Sequence, residues 1–287
     1  MANSKKDIND MVDDGATKNE LTTTSEDVQI TMPTLEGIEG MGFEELDASD
    51  LAVKIPYAVL LQPTSEIVTK SRGAFRAGDF LITSLDGEQK TYEKLTVTII
   101  AFTKMRSMWS PNFKRGDSPL CRSFDGKIPV QNDMGCTDCS KCPHAKWDPD
   151  KKASECRISY VLLCQDLATG ALFKVQASGA SYADAKDFIK KLYNTAKKHK
   201  TASFAFQVDL KSEYQSNDKG TFYTLNIDSA TIKQNSKLFT GGGVEMEYFD
   251  FLKDTYNVYI DSIKLQSQKS IDDFADESGA ASGDAPF

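Results

Sequence analysis

The sequence predicts a mainly β fold of the α+β kind. Two observations predict it: β-branched and aromatic residues gather in five runs after residue 90, and only two segments carry a helical period. The first run, residues 94–104, predicts a long curved strand with its outer end at Trp109. Its alternation places Leu95, Val97 and Ile99 on one face, with Phe102, Lys104 and Arg106 on the other. Residues 157–165 and 171–178 predict the second and third strands, a hairpin turning at Ala168-Thr169-Gly170. Ser181-Tyr182-Ala183-Asp184 has the Ser-x-x-acid signature of a helix start, where the hydroxyl caps the first turn. Behind it Tyr182, Ala185, Phe188, Ile189, Leu192 and Ala196 recur at helical spacing, and Lys197, Lys198 and Lys200 close the helix with positive charge. Residues 204–210 alternate as a fourth strand and 221–231 as a fifth, with Tyr223, Leu225 and Ile227 on one side. Residues 216–220 supply the turn between them.

Strand, insertion, strand, strand, helix, strand, strand is the element order of a five-stranded OB-fold barrel, with its helix between strands three and four. Upstream, an apolar segment at 55–62 and a short strand at 79–83 pack beside this body. A second apolar helix, about 244–265, follows Gly241-Gly242-Gly243 and packs on the barrel or on a second subunit, which leaves a homo-oligomer open. The chain thus divides into an acidic, largely disordered arm (1–50), the core region with its extension (51–240, insertion 110–156), the C-terminal helix (241–265) and a disordered acidic tail (266–287).

The net charge of −8 hides an asymmetry. Residues 1–50 hold three lysines against thirteen acids, and 266–287 hold one lysine against five, so the segment between carries +6. A basic body with acidic arms is the expected distribution for a protein that binds a polyanion. No apolar run is long enough to span a bilayer, and no secretory signal opens the chain, so the reading is a cytoplasmic protein with no membrane partner. In that reducing compartment cysteines hold metal more often than they pair.

Five of the six cysteines fall in the insertion. Cys136, Cys139 and Cys142 form overlapping Cys-x2-Cys knuckles ahead of Pro143, Cys121 lies a little beyond the first strand, and Cys156 precedes the second. Two thiolates at that spacing reach one tetrahedral ion at about 2.3 Å. A single structural Zn2+ on Cys121, Cys139, Cys142 and Cys156 would close the long insertion at its base, with Cys136 and His144 as alternates. An iron–sulfur cluster is the weaker reading of the same run. Cys164, mid-strand, reads as a small core residue. Catalysis is not expected: hydrolytic zinc needs an open position and a general base, and neither His144 nor His199 sits in a catalytic motif. No phosphate-binding loop or nucleophile elbow is present either.

Sequence-tolerant binding of single-stranded DNA needs aromatic faces for base stacking and cations that follow the phosphates. Candidates lie where the binding face of an OB-fold would be. They are Phe102, Lys104 and Arg106 on the first strand, Trp109, Phe113, Lys114 and Arg115 past its end, Arg122 and Trp147 in the insertion, Arg157 and Lys174 on strands two and three, and Lys211, Tyr214 and Phe222 around the last hairpin.

The tail runs Ser270-Ile271-Asp272-Asp273-Phe274-Ala275-Asp276-Glu277, then a Gly/Ala/Ser spacer, then Gly283-Asp284-Ala285-Pro286-Phe287. An apolar side chain beside a carboxylate at a chain end is a compact ligand for a basic, greasy pocket. Asp284, Ala285, Pro286 and Phe287 resemble the acidic tip of bacterial and phage single-stranded DNA-binding proteins. The insertion separately resembles the zinc ribbon in the large subunit of eukaryotic replication protein A. These resemblances imply a non-catalytic protein that binds and protects single-stranded DNA in phage replication, recombination or repair. They also imply a tip that recruits replication and recombination proteins, and zinc that supports the fold. The competing expectation is a zinc-ribbon adaptor or transcription regulator that binds RNA polymerase.

Overall fold

A computed structural model describes residues 55–84, 86–112, 118–132, 135–149, 154–218 and 220–267, all within a unit spanning 53–287. In order, the elements are β1 (Ala58–Leu60), α1 (Glu66–Lys70), β2 (Phe80–Thr83), β3 (Gln89–Tyr92), β4 (Lys94–Met108), β5 (Cys121–Ser123), β6 (Gln131–Asn132), β7 (Arg157–Asp166), β8 (Leu172–Ala177), α2 (Ser181–Lys198), β9 (Phe206–Asn217), β10 (Gly220–Gln234), β11 (Phe239–Thr240), β12 (Gly243–Val244) and α3 (Met246–Gln266). The fold is mainly β, with few helices, and among the described residues every strand ladder is antiparallel. Among the described residues no helix is long and apolar enough to cross a membrane.

β4 organises the main sheet because it is long enough to serve two partners. Its first residues pair with β9, its remainder with β7, and the order across five strands is β8-β7-β4-β9-β10. Among the described residues β8 and β10 do not pair with each other, so the sheet is open rather than a closed barrel. The apolar segment at 55–62 lies along both free edges. Lys174 donates its N–H to Pro56 O at 2.8 Å, Tyr57 bridges Lys174 in parallel, and the Gln62 side chain bonds the backbone of Tyr223. β1, β2 and β3 form a separate small sheet.

The expected alternation of β4 holds only as far as Ile99. The register with β7 shifts between Ile99 and Ala101, a bulge that spends one residue without advancing the pairing. Leu95, Val97 and Ile99 line the first core, and beyond the bulge Phe102 packs against that same core. Ile100 and Ala101 belong instead to a second core on the opposite face. Phe102, Lys104 and Arg106 therefore share the face of Leu95, Val97 and Ile99, correcting the reading from strict alternation.

α2 closes the first core with Ala185, Phe188 and Leu192, at the spacing read from the sequence. Ser181 does not cap its first turn; its hydroxyl accepts the Leu225 N–H at 2.8 Å and ties the helix to β10. The second core is covered by α3, whose Leu252 and Tyr259 are buried against Ile100, Ala101 and Leu163. Tyr248 Oη donates to Gln165 Oε1 at 2.5 Å, and Tyr259 Oη lies 3.1 Å from Thr103 Oγ1, so polar contacts set the helix's position on the sheet. The apolar helix packs on the chain's own sheet. Residues 203–205 form a short 3-10 turn rather than the start of a strand, and Phe204 joins the second core edge-to-face with Phe249.

Candidate functional site

Two places on the sheet bring chemistry-bearing side chains together. The first is the base of the insertion. β5 pairs beside the end of β4, with Met108 opposite Cys121 and Arg106 opposite Ser123, and Ser107 at that end also pairs with Arg157 at the start of β7. Cys121 and Cys156 are thereby drawn into one buried cluster with Met108. The knuckle is carried to them by turns. Asp125 Oδ1 accepts from the N–H groups of Lys127 and Ile128 at 2.7 and 2.9 Å and from the Ser123 hydroxyl at 3.0 Å. Burial opposes its charge, but these bonds outweigh burial and hold its pKa below the ordinary carboxylate value. Cys139 then donates its N–H to Lys127 O, and Cys156 donates its N–H to His144 O, both at 2.9 Å.

Four of the insertion thiols, Cys121, Cys136, Cys139 and Cys156, have their pKa values raised. Burial first, then the charges of Cys156, Cys139, Cys142 and Cys136, push the Cys121 thiol up to about 12. Cys136 rises to about 11, chiefly through its hydrogen bond with Cys142. Burial also raises Cys139 and Cys156, opposed at Cys139 by the nearby Ser123 hydroxyl and the charge of Arg106, and at Cys156 by the charge and hydrogen bond of Arg106. Cys121, Cys139, Cys142 and Cys156 are buried, and Cys136 is half-buried.

The donor chemistry suits a thiophilic divalent ion, which relieves the mutual repulsion of gathered thiolates. Cys136 Sγ and Cys142 Sγ stand 3.0 Å apart, nearer than the roughly 3.8 Å between two sulfurs on a tetrahedral ion with bonds of about 2.3 Å. Among the described residues no three Cys, His, Asp or Glu are spaced to hold a metal ion. The thiols are gathered but not closed around one point. His144 is engaged at Nδ1, 2.6 Å from Glu155 Oε2. Cys164 is buried in the first core, where burial alone raises its pKa.

The second place lies on the face of the sheet that α3 packs against, with side chains from β5, β8 and the segment before β1. Lys174 Nζ stands 4.5 Å above the Tyr57 ring, and Arg122 stands 5.7 Å above Phe124. Burial first, then Tyr259 of α3, push the Tyr57 hydroxyl up to about 12, and the charge of Arg122 opposes them, so the two pairs are neighbours. Burial lowers the pKa of both Lys174 and Arg122, marking cations drawn partly out of water. Trp147, in the insertion, is 67 % exposed and, among the described residues, makes no ring contact with these pairs.

The remaining candidates disperse. Lys104 is exposed, with Nζ 5.9 Å above Tyr160, and Arg106 turns to the thiols. Phe102, Trp109 and Phe222 are half-buried, and Arg157 is exposed. Lys211 and Tyr214 lie on opposite faces of β9, since their positions differ by an odd number. Lys211 meets Asp228 at 3.8 Å, whereas Tyr214, 58 % exposed, packs edge-to-face on Tyr223. Gly78, at φ +95°, sits against the Tyr223 ring; a Cβ there would come within 2.7 Å of it. Phe113, Lys114, Arg115, Asp284, Ala285, Pro286 and Phe287 lie outside the described residues. Sequence reasoning missed Tyr57 and Phe124. Tyr57 sits in an apolar run that reads as packing, and its pairing with Lys174 depends on a bridge between segments far apart in sequence.

The model of the Pam3 phage gp34-like proteins matches residues 25–249. No curated protein and no solved structure matches the chain. Spanning the sheet, the insertion and the start of α3, this match shows that the chain belongs to the Pam3 phage gp34-like protein family.

Proposed function

We propose that this phage-family protein binds single-stranded DNA without catalysis, on an OB-like body, during genome replication or recombination in the host cytoplasm. The observation that carries the reading is the paired Lys174–Tyr57 and Arg122–Phe124 contacts on one sheet face. Cations over aromatic rings, partly desolvated, offer phosphate charge and a stacking surface together, which is what sequence-tolerant single-strand binding requires. The strand order supports the OB-like part: β4, β7, β8, β9 and β10 make four of the five ladders of that barrel, with α2 between the third and fourth strands. The fifth ladder, β8 to β10, is replaced by the segment at 55–62. α3 covers part of this face beside Lys174 and Tyr57, so the ligand path runs from that pair toward Arg122 and the insertion. One Zn2+ held by Cys121, Cys139, Cys142 and Cys156, with Cys136 as the exchangeable fifth thiol, would fix that end. Arg106 would then offset the negative charge of the thiolates rather than contact DNA. The terminal Asp284 to Phe287 recruits replication proteins.

The test is titration of zinc-loaded protein with fluorescent oligo-dT at two salt concentrations. Tight binding that weakens with salt, and little affinity for duplex, is expected. No binding at low salt overturns the reading in favour of a zinc-ribbon adaptor.

A further inference from the structure

α3 has a second apolar side. Leu252 and Tyr259 face the sheet, yet Phe251, Val258 and Leu265 remain 42, 70 and 50 % exposed. These three are seven residues apart, so they form one column on the helix, about 21 Å long. Four residues before each stands an acid: Glu247, Asp254 and Asp261. Positions four apart are neighbours on a helix, so an acidic column borders the apolar one along its whole length. The opposite border carries Thr255 and Ser262, which are uncharged. A seam of this period with one charged edge has the pattern of a coiled-coil face.

We infer that this column is the docking surface for a protein helix bearing apolar residues at heptad spacing, flanked by Lys or Arg. Charge decides the occupant. A second copy packed antiparallel sets the acidic column against itself, and one packed parallel sets it against Thr255 and Ser262 and forms no ion pair. A basic helix pairs the acids and covers the apolar residues at once. Asp261 already meets Lys264 at 2.7 Å, but both are exposed, and such a pair yields readily to a better partner. The surface stands apart from the single-strand reading and needs neither the metal nor the tail.

The experiment measures fluorescence anisotropy of a synthetic amphipathic heptad peptide with Leu at the seam and Lys at the flanks, beside its twin with Glu flanks. Full-length protein is used at roughly physiological salt, where long-range attraction is screened. The Lys peptide should bind at least about tenfold more tightly than the Glu twin. Val258→Asp should weaken the Lys peptide by about tenfold or more although it adds negative charge. Asp254→Lys with Asp261→Lys should reverse the preference between the twins. All these positions are exposed, and circular dichroism verifies that α3 persists. Unchanged or tighter Lys-peptide binding by Val258→Asp would show attraction by charge alone and overturn the proposal. A wild-type dimer in sedimentation equilibrium that Val258→Asp dissolves would overturn it equally, giving the column to a second copy.

Discussion

Gln62 and Tyr223 exchange two hydrogen bonds across 161 positions of chain: Gln62 Nε2 donates to Tyr223 O at 3.0 Å, and the Tyr223 N–H donates to Gln62 Oε1 at 2.9 Å. A side-chain amide here does what a neighbouring strand's peptide would do, satisfying both backbone groups of an edge residue. Replacing Gln62 with Leu removes both bonds and leaves Tyr223 facing an apolar group. The expected loss is about 1–3 kcal/mol in urea unfolding, with faster hydrogen exchange at the Tyr223 amide than elsewhere in β10. Unchanged Tyr223 protection in that variant would show that this edge is held by other contacts.

The thiol cluster gives a signed pH dependence. Zinc binds thiolates, and burial at Cys121 and the hydrogen bond to Cys142 at Cys136 hold those two thiols protonated at neutral pH, so binding must expel protons. Calorimetry in buffers of different ionisation enthalpy should report about three to four protons released per ion, and affinity should rise with pH. Without metal the sign reverses. Unfolded thiols ionise near 8.5 while folded Cys121 holds its proton to about 12, so the raised pKa supports the fold fully below about 8.5 and that support erodes as pH climbs toward 12. Cys121→Ser and Cys156→Ser should abolish stoichiometric zinc, whereas Cys136→Ser should leave one ion bound. Loss of zinc in Cys136→Ser alone would exchange its place with one of the other four.

The helix faces and strand order were legible because period and propensity are local: Ala185, Phe188 and Leu192 announce α2 by spacing alone. The bulge in β4 was not, since nothing in Ile99-Ile100-Ala101 marks which residue the partner strand will skip. That one residue decides whether Arg106 reaches solvent or the thiols. Ser181 failed for a related reason: the capping signature is local, but the Leu225 N–H that claims the hydroxyl arrives from 44 positions away. The gathering of the insertion cysteines was legible from count and spacing, but their proximity does not single out Cys121, Cys139, Cys142 and Cys156 from Cys136; the Tyr57–Lys174 pair depends on a parallel bridge between distant segments.

Asn235 is fully buried, and its side chain serves three backbone groups. Nδ2 donates to Phe204 O at 2.9 Å, and Oδ1 accepts from Lys237 N and Leu238 N at 3.0 and 3.3 Å. It therefore fixes the turn that leads from β10 to α3 against the second core. Asn235→Ala leaves those groups without this partner and should cost about 2–3 kcal/mol, lowering the urea midpoint with little change in slope. A loss below roughly 0.5 kcal/mol would mean that water replaces the amide.

The aromatic and cationic members of the proposed DNA face should separate by salt. Stacking is largely insensitive to counterions, whereas each phosphate neutralised on a single strand adds about 0.7 to the salt slope. Trp147→Ala should therefore weaken oligo-dT binding by about 1–3 kcal/mol, roughly 5- to 150-fold, at unchanged slope. Lys174→Gln should lower the slope of log K against log salt by about 0.7. Tyr57→Leu tests the pairing itself: the ring beneath the ammonium is lost while the apolar contact is kept, so affinity should fall with the slope preserved. Arg106→Gln serves as the contrast, because its side chain turns to Cys156 and Cys139 and should change zinc affinity before it changes DNA affinity. If Arg106→Gln flattens the salt slope while zinc stays bound, the arginine belongs to the DNA path and its assignment to the thiols is wrong.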